Sequence, residues 1–145
     1  MNAKFRLEKV LEHRERIFEL EKNKLAEFES RLRTLTAQLT DMLETEKQKH
    51  AEKEEAKISG QMQFVRMYDA YILKLEGHRK TMERMVHDAR LVVERQKKKT
   101  VQAMNNHKIM LKLKEKHVKD YTAYLDKEEM KMIDELIVSR SGRNE

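Results

Sequence analysis

The chain has 145 residues, of which 40% are charged and only 6% aromatic, with three glycines and neither proline nor cysteine. That composition excludes a thick globular core, a disulfide framework and thiolate metal sites. The formal net charge of +6 and sequence pI near 9.4 leave acidic partners open.

The first predicted element is a helix over about 4–57. Its apolar seam reads Leu7, Leu11, Arg14, Phe18, Glu21, Leu25, Phe28, Leu32, Leu35, Leu39, Met42, in alternating steps of four and three. This is the spacing of a coiled-coil face. Disordered charged tracts do not hold leucines in such register. Arg14 and Glu21 interrupt the seam, and polar seam residues either fix register or mark a segment that meets another protein. From Glu44 to Lys57 the seam passes into Glu, Lys, Gln and His, so the helix is expected to continue there solvated and weakly packed.

A turn is predicted at 58–61. Gly60 suits the left-handed residue that ends a helix, and Ser59 is a candidate cap for the next one.

The second helix is predicted over about 62–138, followed by a frayed tail at 139–145. Its seam is Val65, Tyr68, Ile72, Leu75, Arg79, Met82, Val86, Ala89, Val93, Gln96, Thr100, Ala103, His107 and Met110. Beyond Val101 a second stripe of Met104, Leu111, Val118, Leu125 and Met132 competes, so the buried face is expected to drift. Gly77, inside this helix, is either a tolerated surface glycine or a place of close approach.

The expected fold is therefore all-α: two long helices in an antiparallel coiled-coil hairpin with unequal arms, forming a single domain. Folding back at Ser59-Gly60 sets residue i against about residue 119 − i. About 20 residues of the second helix then overhang, roughly 30 Å at 1.5 Å per residue. The overhang is apolar at Leu125, Met132, Ile133 and Leu136, which calls for a partner.

Between Arg95 and Lys119 lie nine basic side chains and one acid. The basic patch centres on Arg95, Lys97, Lys98, Lys99, Lys112 and Lys116, opposite the acids Glu8, Glu12, Glu15, Glu19 and Glu21 of the first helix. No aromatic residue interleaves the lysines, so a nucleic-acid partner is not expected.

The six histidines form no H-E-x-x-H motif, and the Glu46/His50 and Glu83/His87 pairs are spacings that any charged helix offers. No metal, no cofactor and no catalytic residue is expected, because two packed helices offer no concave, water-excluding cleft. The first residues carry no apolar run of signal-peptide length, no stretch approaches a membrane span, and no lipidation signal is visible. A cytoplasmic location is expected.

Three segments together carry a resemblance. Phe5-Arg-Leu-Glu-Lys-Val-Leu-Glu-His-Arg-Glu15 opens the chain, Tyr68-Asp-Ala-Tyr-Ile-Leu-Lys-Leu-Glu76 lies mid-chain, and Asp126-Lys-Glu-Glu-Met-Lys-Met-Ile-Asp134 lies near the end. In order and spacing this set resembles FliJ-type flagellar export proteins. The resemblance implies an antiparallel two-helix coiled coil similar to the central stalk of rotary ATPases, and a non-catalytic role in flagellar type III protein export, and so in motility and chemotaxis. It implies two main partners, the hexameric export ATPase and the cytoplasmic part and linker of the membrane-embedded export gate protein, with export chaperones as further contacts. It also implies a peripheral position at the cytoplasmic face of the inner membrane. By match to the middle motif, Tyr68, Tyr71, Leu75, His78 and Met82 fall on the gate-binding face; family members usually carry an apolar residue where this chain has Arg79. The stalk likeness puts the end bearing both termini, with Leu125, Met132, Ile133 and Leu136, in the ATPase ring. A generic coiled-coil scaffold and an injectisome relative are the alternatives, with a basic nucleic-acid-binding rod behind them.

Overall fold

A computed structural model describes residues 1–143. Among them the secondary structure is two helices, α1 (Glu8–Ile58, 51 residues) and α2 (Met62–Arg143, 82 residues), joined by three residues. The antiparallel hairpin with unequal arms is therefore present. Contacts group the chain into two compact units, one of Met1–Leu20 with Val101–Glu145 and one of Glu21–Thr100.

Glu8 places negative charge in the first turn of α1, where the helix dipole favours it, and Lys57 places positive charge in the last. The helix begins at Glu8, later than the expected residue 4. The Lys4 amide bonds the Asn2 side-chain carbonyl, and the Glu8 amide the Phe5 carbonyl. These local bonds hold the first residues in turns instead of helix.

The join between the helices follows from one residue. Gly60 has φ of 73°, in the left-handed region. Its amide bonds the Lys57 carbonyl at 3.1 Å, and the Gln61 amide reaches back to Ala56 at 3.0 Å. This is a Schellman closure of α1. Ser59, expected to cap α2, instead stands as the last capping residue of α1, its amide on Glu55. The first carbonyl of the α2 ladder belongs to Gln61, which accepts from Phe64 and Val65. At the other end, α2 continues through residues 139–143, which were expected to fray; residues 144 and 145 lie outside the described residues.

In the Glu21–Thr100 unit the α2 seam from Val65 to Thr100 is buried or half-buried at every position. Val65, Ile72, Val86 and Val93 are its best-covered aliphatics. Each such side chain contributes about 1.5–3 kcal/mol by leaving water. Opposite them, Leu35 and Ala56 of α1 are buried, and Leu25, Phe28, Leu32, Leu39 and Met42 are partly so. Beyond Met42 the α1 seam does not fade as expected. It runs on through Thr45, Glu46, Lys49, Glu52, Lys53 and Ala56, all half-buried or buried, and it is held by charge pairs. Arg79 Nε lies 2.8 Å from Glu46, and Lys53 pairs with Asp69.

In the other unit Leu11, Ala103 and Met110 are buried. Arg14 donates to the Asn106 carbonyl at 3.0 Å, Lys114 pairs with Glu8 at 3.0 Å, and the His107 ring stacks on Phe18 at 6.0 Å. The expected drift of the buried face does not occur. Met104 is half-buried beside the seam, but Leu111, Val118, Leu125 and Met132 are exposed, and the covered line continues through Lys114, His117 and Tyr121. These are less apolar residues, but α1 and the N-terminal segment supply their partners: Glu8, the Ala3 carbonyl on His117 and the Phe5 ring 5.7 Å from His117.

Candidate partner-binding surfaces

Within the Glu21–Thr100 unit, the residues of the middle motif divide between two environments. Tyr68, Leu75 and Met82 belong to the seam and are half-buried against α1. Tyr71 and His78 stand beside the seam and are exposed. The five thus form one edge of the helix pair, part packed and part open. The same edge carries Phe64, Met85 and Val92, in steps of seven with Tyr71 and His78. Phe64 and Met85 are each 40% exposed. Sequence reading missed these three, although the seven-residue repeat was there to find. At Phe28, Arg31, Met85, Ala89 and Val92 the small Ala89 leaves an open recess of about 250 Å³ on this edge.

The α1 side of the edge near Tyr71 is polar and connected. Lys49 Nζ lies 3.1 Å from Glu52 and 5.7 Å from the centre of the Tyr71 ring, a cation–π approach. Glu52 also accepts a hydrogen bond from the Tyr68 hydroxyl, and this bond pushes the phenol above its ordinary value. The Lys49 bond, with help from Tyr68, holds the Glu52 carboxyl below its usual range. The Glu52 bond in turn raises Lys49. Tyr68 and Tyr71 are therefore held by a charged triad and present preset rings.

Arg79 is anchored on both sides: by Glu46 at 2.8 Å and by Glu83 at 2.9 Å. The Glu83 bond is the first cause of its raised pKa, with Glu46 adding to it. Glu46 and His50 approach Glu76 of α2 with ligand atoms within 4.8 Å of one another. The Glu46 carboxylate in that group is already matched by Arg79.

In the other unit, α2 runs on past Tyr121. From Thr122 to Gly142 only Glu128 is partly covered. Leu125 (48% exposed), Met132 (65%), Ile133 and Leu136 are all open to solvent, with Met130, Ile137 and Val138 beside them. This stretch from Thr122 to Gly142 is 21 residues, roughly 32 Å of helix. Its apolar side chains spread around the helix and are not confined to one stripe, so the surface is greasy from several directions.

The basic residues fall in both units, and each group is exposed: Arg95, Lys97, Lys98 and Lys99 in one, Lys112 and Lys116 in the other. Acids of α1 temper part of this charge. Lys114 pairs with Glu8, and Lys99 acts on Glu21. Gly77 lies on the open face of α2, where an added Cβ meets nothing within 4 Å.

No described helix is long and apolar enough to cross a membrane. Comparison with curated proteins and with solved structures gives no match. The sequence matches the family described as Flagellar FliJ protein over residues 3–145, and the chain belongs to that family, whose members are components of the flagellar protein export apparatus.

Proposed function

We propose that this protein is a non-catalytic stalk component of the export apparatus, inserting the free end of α2 into the hexameric export ATPase and offering the Tyr71 edge to the export gate protein. The observation that carries the first contact is the uncovered apolar stretch after Tyr121. A monomeric protein does not maintain so much exposed aliphatic surface without an occupant. Side chains distributed around a helix also suit a ring, whose subunits approach from several sides.

The gate contact rests on Tyr71, His78, Phe64 and Met85, with Tyr68, Leu75 and Met82 behind them. Half-exposed aromatics held by packed neighbours are efficient binding anchors, since little side-chain freedom is lost on docking. In this reading the protein works in the cytoplasm, peripheral to the membrane, and export chaperones are secondary partners.

The test is export-ATPase turnover and ring assembly with and without the protein, alongside capture of the gate protein's cytoplasmic part. Leu125→Asp with Met132→Asp and Leu136→Asp is expected to abolish ATPase stimulation and spare gate capture; Tyr71→Ala with His78→Ala is expected to do the reverse. Absence of stimulation and of co-purification with the native protein would refute the reading and leave a generic coiled-coil scaffold.

A further inference from the structure

An apolar seam with a seven-residue repeat has a built-in ambiguity. Sliding one helix past the other by a heptad returns aliphatic residues to aliphatic neighbours, so such seams define direction better than alignment. In the Glu21–Thr100 unit two polar layers remove that ambiguity. At the first, Gln96 and Thr100 of α2 are buried, 4% and 8% exposed. Thr100 Oγ1 donates to the Glu21 carbonyl at 3.2 Å, and the Gln96 amide donates to the same carbonyl at 3.2 Å and to the Glu21 carboxylate. At the second, Arg79 reaches Glu46 across the seam at 2.8 Å.

A one-heptad slide one way would set Glu46 against Ile72, Arg79 against Leu39, and Glu21 against Ala89 and Val93. The opposite slide would set Glu46 against Val86, Arg79 against Lys53, and Gln96 and Thr100 against Phe28. In both directions the Glu46–Arg79 pair is broken and the Gln96 amide loses the Glu21 carboxylate, while Thr100 keeps its bond to the Gln96 carbonyl; each charge or amide so orphaned disfavours the slipped state. The native alignment satisfies both layers.

We propose that the Glu21–Gln96–Thr100 and Glu46–Arg79 layers form a register lock, which holds these segments of α1 and α2 in one alignment and prevents heptad sliding. The competing determinant is the Gly60 turn, which also pins the helices, but only at its own end.

The chain has no cysteine, so label sites can be introduced cleanly. Nitroxide labels on Arg33→Cys and Lys74→Cys, both exposed positions, report axial offset by pulsed electron paramagnetic resonance. Dilution with unlabelled protein keeps the distances intramolecular. The native seam is expected to give one narrow distance. Replacing Glu21, Glu46, Arg79, Gln96 and Thr100 together by Leu is expected to preserve helicity and add a second population, displaced by up to about 10 Å, the rise of seven helical residues. As a second variant, Glu46→Lys with Gln96→Leu opposes Arg79 with a like charge and is expected to do the same. Exchanging the pair, Glu46→Arg with Arg79→Glu, is expected to keep one distance. A helical leucine or Glu46→Lys variant that retains only the native distance would overturn the proposal and assign the alignment to the turn, and so would two distances in the native seam.

Discussion

The two glycines of the Glu21–Thr100 unit should respond to alanine with opposite signs, and the backbone sets both magnitudes. Gly77 lies in the interior of α2 with no positive φ, is exposed, and leaves open space where a Cβ would stand. Gly77→Ala therefore adds no clash and removes the excess freedom of an unfolded glycine, so the gain is about 1 kcal/mol. For a chain of this length that raises the melting temperature by roughly 2–4 °C. Gly60 also has open space around its missing Cβ, but its φ is 73°. Alanine there must hold a left-handed conformation, a loss of about 1–2 kcal/mol. The assay is urea unfolding followed by far-ultraviolet circular dichroism, with both variants beside the parent. A Gly77→Ala midpoint at or below the parent's, or equal shifts for the two variants, would refute the reasoning. Gly77→Ala that is more stable yet captures less gate protein would identify this face as one that a partner approaches closely.

Four further outcomes are expected. The triple aspartate change at Leu125, Met132 and Leu136 should leave the helical signal of Met1–Leu20 and its α2 partner intact, because those side chains touch solvent; collapse of the whole fold would show that the free end is structural. The Gln96 bond holds the Glu21 carboxyl below its ordinary 4.5, so its stabilising contribution is present above about that pH and is lost as pH falls through the lowered value. Glu21→Gln should thus make the acid branch of the stability profile shallower, and an unchanged slope would refute this. Tyr68 has the opposite sign, its raised phenol contributing below its ordinary 10.0 and losing that contribution as pH climbs past the raised value, a loss that Tyr68→Phe should remove. Lys97, Lys98 and Lys99 are exposed, so joint replacement by Glu should shift stability by no more than about 0.5 kcal/mol per site; a steep salt-dependent affinity of the native protein for duplex DNA would instead point to a nucleic-acid role.

Much of the architecture was legible because a coiled coil writes its contacts into its spacing. Leu11 to Met42 and Val65 to Met110 face inward as their three–four steps require, and Gly60 marks the join. Reading failed where polarity and burial part company. Glu46, Lys49 and Lys53 looked like solvent-facing helix, yet Arg79 and Asp69 of α2 pair with Glu46 and Lys53, and pairing across the hairpin is invisible until the helices are aligned; Lys49 pairs along α1 with Glu52. The supposed drift after Val101 had the same origin. Leu111 and Val118 form the greasier stripe, but the position of α1, not local hydrophobicity, selects His107, Lys114 and His117. Of the candidate surfaces, the free end of α2 followed from unequal arm lengths, whereas the split of Tyr68 and Leu75 from Tyr71 and His78 required knowing where the seam ends and its edge begins.

Among the described residues no large side chain is completely enclosed. Every layer of the seam touches only the layers above and below it, so cohesion is nearest-neighbour, as in a linear array of repeats. Such a chain has no keystone. Loss of one layer should melt a neighbourhood and leave distant turns of helix ordered, and amide exchange should grade smoothly along each unit instead of collapsing to one rate. Local give of this kind lets one stretch of helix yield to a load while the rest keeps its order.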